Sequence, residues 1–274
     1  MKRAQLPEKT VEEILDNYVN KGYGLIKSGR EFGVGERVVR RILLENGIHI
    51  RSFGEAATVS NISRRIHGVN DNYFSQENSN MAYFLGFLAS DGTVRKNDNS
   101  VKISLSSVDR DFLYTLKEEI GYQGELIDYI TSNGFPVSEL RFTSQKIKKD
   151  LAKYNIVPNK TFIYTFPKNL KKEYWIDFIR GYFDGDGSVS TAGEEAIRWQ
   201  VCSANPDVLN TIVDFFFEEY NIPKVSLQWQ NKVHRLYYIQ YSTSAAKKIF
   251  QILYSPNCLK LPRKYEKFQS LVMK

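Results

Sequence analysis

The spacing of apolar positions divides the chain into three stretches. From residue 10 to 47 apolar residues recur at helical intervals: Val11, Ile14, Leu15 and Val19, then a short run from Leu25 to Phe32, then Val38, Val39, Ile42 and Leu43. Thr10 and Glu13 read as a capping box opening a helix from Val11 to Asn20. Gly22 and Gly24 form a turn, Gly33-Val34-Gly35 a tighter one, and a third helix from Glu36 to Asn46 stops at Gly47. Arg37, Arg40 and Arg41 lie off its apolar stripe. A glycine turn between a helix and an arginine-bearing helix is the helix-turn-helix arrangement, whose last helix can enter a major groove. A small three-helix packing module with solvated arginines satisfies the same pattern. Residues 51–80 lose the periodicity and carry scattered Ser and Asn with basic Arg51, Arg64 and Arg65, which predicts a linker.

Beyond residue 80 the pattern repeats itself. Phe84-Leu85-Gly86-Phe87-Leu88-Ala89-Ser90-Asp91-Gly92 aligns without a gap on Ile179-Arg180-Gly181-Tyr182-Phe183-Asp184-Gly185-Asp186-Gly187, at a separation of 95 residues (91 to 186). Alternating strands follow in both copies, Val101 to Ser106 and Ile197 to Cys202, and then helices, Asp109 to Ile120 and Asp207 to Tyr220. Two more strands and a helix close each copy, Gln145 to Tyr154 in the first and Ser244 to Tyr254 in the second. The fold class is therefore α+β, two facing αββαββα repeats at 81–172 and 173–274, behind an all-α domain at 1–50 and the linker at 51–80.

If each repeated motif is a helix, Gly86 and Ser90 share one face, as do Gly181 and Gly185, and these small residues let two helix backbones approach. Left-handed caps at Gly92 and Gly187 would end the helices. Asp91 and Asp186 then sit in last turns, where the negative end of the dipole disfavours a carboxylate by about 0.3 to 1 kcal/mol. Packed together, the two acids would be buried and repel each other, and a rule broken twice at equivalent positions suggests function. A divalent cation relieves the conflict. With no cysteine or histidine close by, oxygen ligands favour Mg²⁺ over zinc, and such ions activate water in phosphodiester hydrolysis.

These motifs, together with the lead-in Tyr73-Phe74 and Met81-Ala82-Tyr83-Phe84-Leu85-Gly86, resemble the LAGLIDADG homing endonucleases, specifically the single-chain class with two motifs, over residues 73–270. The resemblance implies saddle-shaped antiparallel sheets and a site-specific double-strand DNA endonuclease that leaves staggered ends with 3′ overhangs and serves intron or intein mobility. It implies that Asp91 and Asp186 are catalytic and bind the metal, with Gly92 and Gly187 counted in the same metal site. Mg²⁺ is the implied cofactor, Mn²⁺ a possible replacement and Ca²⁺ a non-catalytic substitute. The first copy departs at its sixth position, where the family often has an acid and this chain has Ala89. Family members also carry a basic residue from each half, which implies Lys160 and Lys264, with Arg263 the adjacent competitor for the second; both lysines read equally as solvated residues after a helix.

DNA contacts would come from polar positions alternating with apolar ones on the strands. In the first half these are Lys102, Ser104, Arg141 and Thr143 with Arg95 nearby; in the second, Arg198, Gln200, Gln228, Gln230, Tyr238 and Gln240. Lys146, Lys148, Lys149 and Lys153 give the following helix a basic side.

Composition adds limits. The 274 residues carry 38 Lys and Arg against 31 Asp and Glu, a net +7 that permits a polyanionic partner without requiring one. No run approaches the roughly 20 apolar residues of a membrane span, and the two cysteines are too few for a disulfide scaffold or zinc cluster. No apolar signal region follows the basic start, so a protein that is not secreted, cytoplasmic or organellar and nucleoid-associated, is expected, and the single-chain nuclease reading makes it a monomer. Duplex DNA with a long target site is the expected partner. Two alternatives stand beside the nuclease: a DNA-binding regulator on an inactive scaffold, and a maturase acting on intron RNA.

Overall fold

The computed structural model describes residues 6–52, 54–56, 59, 67–192, 196–231 and 236–273. They fall into two compact units, Met1–Ile66 and His67–Lys274. Arg64 and Arg65 lie outside the described residues.

The first unit contains α1 (Glu8–Val19), α2 (Leu25–Arg30) and α3 (Glu36–Glu45) around Ile14, Tyr18, Val39, Ile42 and Leu43. The capping box is not formed. Helix α1 starts nearly a turn earlier behind Pro7, whose conformation suits the residue before a helix, so Thr10 is already inside it. Between α2 and α3 the chain turns at Gly33 (φ 65°), and Gly29 packs so closely on the Val34 carbonyl that any side chain there would overlap it. The arginine fork of Arg51 donates to the carbonyl oxygens of Tyr18 and Tyr23, tying the end of this unit back onto α1.

The second unit begins inside the stretch expected to be a linker. Tyr73 and Phe74 are buried in its core and Asn78 caps α4 (Ser79–Ser90) through the Met81 amide. Val69 packs on the same core, the Tyr73 hydroxyl donates to Glu119 and the Ser75 hydroxyl to Asp150, which together anchor an otherwise mostly polar segment. Helix α4 leads into β1 (Gly92–Val94), β2 (Ser100–Ser106), α5 (Arg110–Glu119), β3 (Ile127–Ile130), β4 (Pro136–Thr143) and α6 (Gln145–Lys153). The second half repeats the order with α7 (Trp175–Asp186), β5 (Gly187–Ala192), β6 (Ala196–Ser203), α8 (Pro206–Tyr220), β7 (Gln228–Asn231), β8 (Leu236–Ser242) and α9 (Thr243–Leu253), then adds α10 (Pro262–Val272). Both sheets are antiparallel, in the equivalent orders β1-β2-β4-β3 and β5-β6-β8-β7.

Alternation gives each sheet a buried face. Val101, Ile103, Leu140 and Phe142 point inward from the first sheet; Val189, Trp199, Val201, Ile239 and Tyr241 do so from the second. One continuous apolar cluster spans both halves, so neither has a core of its own. At its centre α4 and α7 cross. A methyl on Gly86 would overlap the Phe178 carbonyl oxygen, and one on Gly181 that of Tyr83. Glycine is required at both positions by the approach of the opposing backbone.

Candidate active site

The helix crossing brings the ends of the two motifs together. Asp91 is the C-cap of α4 in a right-handed conformation, and Asp186 is the last residue of α7. A methyl on Gly185 of α7 would overlap the Ser90 hydroxyl and stand 3.0 Å from Asp91 Oδ2, which measures how closely one motif's acid approaches the other motif's helix. Gly86, Ser90, Gly181 and Gly185 thus all lie at the helix interface.

The caps differ from expectation. Gly187 is extended (φ −91°, ψ 164°), and neither it nor Gly92 has positive φ. Space is the reason for both glycines: a methyl on Gly92 would crowd Leu88 backbone atoms, and one on Gly187 the Phe183 ring.

Contrary to the expectation of buried acids, both aspartates are exposed. Packed protein on their other sides still strips away water. That desolvation pushes Asp91 above the ordinary carboxylate range, against the pull of Lys264 and Lys160. It raises Asp186 to about 6, with the charge of Asp91 adding to the shift and the same lysines opposing it.

Each half contributes a half-buried lysine. Lys160 opens a 3-10 turn (Lys160–Phe162), and its ammonium donates to Gly92 O at 2.7 Å and Ser90 O at 3.4 Å. Lys264, in the first turn of α10, donates to Asp184 O and Gly187 O, both at 2.7 Å, to Phe183 O at 2.9 Å and to Gly185 O at 3.1 Å. Each cation therefore sits on the carbonyls that end a motif helix, where the dipole is negative. Burial lowers both ammonium groups from their usual range, while Asp91 and Asp186 pull the other way. Arg263 does not share this place: it pairs with Asp109 of the first half. The carbonyl oxygens of Gly92 and Gly187 each accept from one of these ammonium groups.

Two carboxylates that repel one another, with no cysteine or histidine beside them, suit a hard divalent ion that retains water ligands. Among the described residues no group of three His, Cys, Asp or Glu side chains forms a fuller metal cage. The donor set fits a hydrated ion and not a closed structural site.

Sequence reasoning missed the acid at the sixth position of the second motif. Asp184 is 1% exposed and accepts from the Tyr83 and Tyr254 hydroxyls and the Leu261 amide, each at 2.8 Å. Its neighbour Arg180, also buried, donates to Asp177 and to the Leu253 and Leu259 carbonyls. These groups fasten the chain entering α10, and so Lys264, to the motif helix. The signal was the Asp at 184 opposite the Ala at 89, the one acid in the first motif's counterpart without an equivalent.

The outer sheet faces carry the polar residues expected there. Lys102 lies across from Arg141 and Ser104 from Glu139; in the second sheet Gln200 opposes Gln240, Arg198 opposes Ser242 and Cys202 opposes Tyr238. Gln200 donates to Gln230, Tyr238 to Gln228, and Arg198 and Thr143 are exposed. Arg95 is exposed beside Asp98. Glu139 was not anticipated among these cations. On α6 the basic side is partly neutralised, since Lys146 and Lys153 both pair with Asp150 and Lys148 caps loop carbonyls. In the first unit Arg37, Arg40 and Arg41 are exposed on α3, the latter two paired with Glu36 and Glu45.

Two glycine-crossed helices, each ending in an aspartate and each followed by a four-stranded antiparallel sheet, define a tandem two-motif α+β protein. The chain carries a LAGLIDADG-like domain: residues 78–153 match the family model of that description, and the second half repeats its motif and topology. Two proteins of Methanocaldococcus jannaschii are similar in sequence. The uncharacterized protein MJ0314 is 28% identical over 166 residues, covering 55% of this chain and 54% of that protein. DNA-directed RNA polymerase subunit Rpo1C is 30% identical over 155 residues, 55% of this chain and 17% of the subunit. The chain thus spans about half of one relative and a small part of the other. Among solved structures, that of I-DmoI in complex with DNA and Ca covers 73% of this chain and 99% of its own, with 16% identity and a TM-score of 0.47. No described helix is long and apolar enough to cross a membrane.

Proposed function

We propose that this protein is a monomeric, divalent-metal-dependent endonuclease acting at specific sites in double-stranded DNA. The observation that carries the reading is the convergence of Asp91 and Asp186 at the helix crossing, with a lysine from each half beside them. Asp91 and Asp186 would hold the metal, Mg²⁺ being the ion their oxygen donors suit. Such an ion, when bound, supplies the charge that activates water and stabilises the leaving oxygen in phosphodiester hydrolysis.

The chain's own groups do the rest. The ammonium groups of Lys160 and Lys264 keep positive charge beside the carboxylates, where negative charge develops on the phosphate. The helix-end carbonyls fix both cations before substrate arrives, so little reorganisation accompanies reaction. One aspartate and one lysine would then serve each DNA strand. Sheet residues Lys102, Ser104, Arg141, Thr143, Arg198, Gln200, Gln228, Gln230, Tyr238 and Gln240 would face the duplex, with Arg95 on phosphate. The first unit would add a helix-turn-helix contact through Arg37, Arg40 and Arg41.

The test is cleavage of a library of candidate duplex sites in Mg²⁺ against EDTA. Asp91→Asn and Asp186→Asn should each lower cleavage at least about a hundredfold while keeping DNA affinity. Full cleavage by either variant sinks the assignment. Duplex binding without cleavage by the unaltered chain would assign it a regulator's role, and selective retention of intron RNA that of a maturase.

A further inference from the structure

The outer face of the first sheet holds a charge cluster that the cleavage site does not use. Glu139 of β4 is 1% exposed. Its Oε2 accepts from the Ser104 hydroxyl at 2.8 Å and the Lys102 ammonium at 3.2 Å, while Arg141 Nη2 lies 2.5 Å from Oε1. The β2–β4 register sets all four side chains on one patch, Lys102 across from Arg141 and Ser104 across from Glu139. Arg141 holds Oε1 through this close ion pair, while Arg141 Nε is buried without a hydrogen-bond partner among the described residues.

The second sheet is built differently at the matching register. Gln200 donates to Gln230 and Tyr238 to Gln228, Gln240 lies across from Gln200, and Arg198 lies across from Ser242. Among the described residues of the second sheet no buried carboxylate lies beneath two cations. Lys102 and Arg141 keep 30% and 41% of their side chains exposed, so they cover the acid yet remain at the surface.

Resting on the DNA-binding reading above, we propose that Glu139 is a specificity-determining residue, an internal substitute for phosphate that withholds Lys102 and Arg141 from mismatched duplexes. Removing both cations leaves a buried carboxylate uncompensated, which is strongly unfavourable. Generic backbone phosphates offer these cations little more than Glu139 already does. A matched site adds hydrogen bonds to base edges, and only there does the exchange become favourable. Non-specific affinity, which rises with each cation released to phosphate, is thereby held down.

The probe is a fluorescent duplex of random sequence, titrated in EDTA over a range of salt concentrations. Glu139→Gln should bind it about tenfold or more tightly than the unaltered chain at low salt. Its slope of log affinity against log salt should steepen by up to about 1.8, two further cations at about 0.9 each. Equal slopes and affinities for the two proteins overturn the proposal. No binding by the unaltered chain at low salt overturns the DNA-binding reading, and the proposal with it. Should Glu139→Gln not fold, the unaltered protein still answers. Acetylation of Lys102, mapped by mass spectrometry, should proceed at the same rate with and without the random duplex; protection of Lys102 by that duplex overturns the proposal.

Discussion

Arg263 of the second half grips Asp109 of the first, its Nε donating to Oδ1 at 3.0 Å and its Nη2 to Oδ2 at 2.8 Å. The neighbouring residue is Lys264, whose ammonium sits on the carbonyls ending α7. Two adjacent cations therefore divide the work, one joining the halves and one serving the aspartate site. Asp109 is buried, so this two-pronged contact replaces water that its carboxylate has lost.

Asp109→Asn and Arg263→Met should each destabilise the protein by about 1 to 3 kcal/mol, as charge-assisted bonds to a buried group do. In urea denaturation the double variant should cost less than the two singles combined, with a coupling of about 1 kcal/mol. Strict additivity would mean that the fork contributes nothing.

The helix crossing leaves no space for a methyl group. Gly86→Ala and Gly181→Ala each drive a carbon into an opposing carbonyl oxygen. Overpacking a core costs about 1 to 3 kcal/mol, and here backbone must move, so each substitution should cost about 3 kcal/mol or more. A thermal transition unchanged in either variant would contradict the close approach of α4 and α7.

Asp184 acts as a buried acceptor for three donors. Asp184→Ala leaves two tyrosine hydroxyls and an amide without a partner, and at about 1 to 3 kcal/mol for each the loss should reach several kcal/mol. Asp184→Ala should also increase the acetylation rate of Lys264, because the Leu261 amide that it releases precedes α10. Unchanged stability would remove Asp184 from the framework of the site.

Asp186 titrates at about 6, above the usual carboxylate value. The folded chain therefore holds this proton more tightly than the unfolded chain does. Metal-free stability should fall as pH rises from the ordinary carboxylate range to about 6, then level off. Mg²⁺ affinity should run the opposite way, growing over the same interval because ion and proton compete for the carboxylate. Asp91→Asn should shift the midpoint to lower pH, since the charge of Asp91 contributes to the rise. Calorimetric Mg²⁺ titrations between pH 4.5 and 7.5 read this directly, and a midpoint unaffected by Asp91→Asn would show the two acids to be uncoupled.

Periodicity and repetition made much of this architecture legible. The gapless match of the two motifs located both aspartates, and the small residues spaced along each helix named the interface. These features are local: they depend on which side chains share a face, and spacing along the chain determines that. Strand alternation likewise separated Val101 and Ile103 from Lys102 and Ser104. The reasons for single residues were less legible. Gly92 and Gly187 suggested left-handed caps and proved to be demanded by crowding, while the Thr10 capping box lost to Pro7.

The sequence by itself determined that two like halves exist, that each ends a helix in an acid, and which residues each helix and strand turns inward. Tertiary structure alone decided that Lys264 and not Arg263 sits on the α7 carbonyls, that Asp184 is an internal acceptor, and that Glu139 lies under Lys102 and Arg141. The partners in those contacts lie between 37 and 101 residues apart along the chain, apart from Glu139 with Arg141. Charge is long-ranged in space and indifferent to sequence, so the environment of an ionisable group is set by whatever the fold brings beside it.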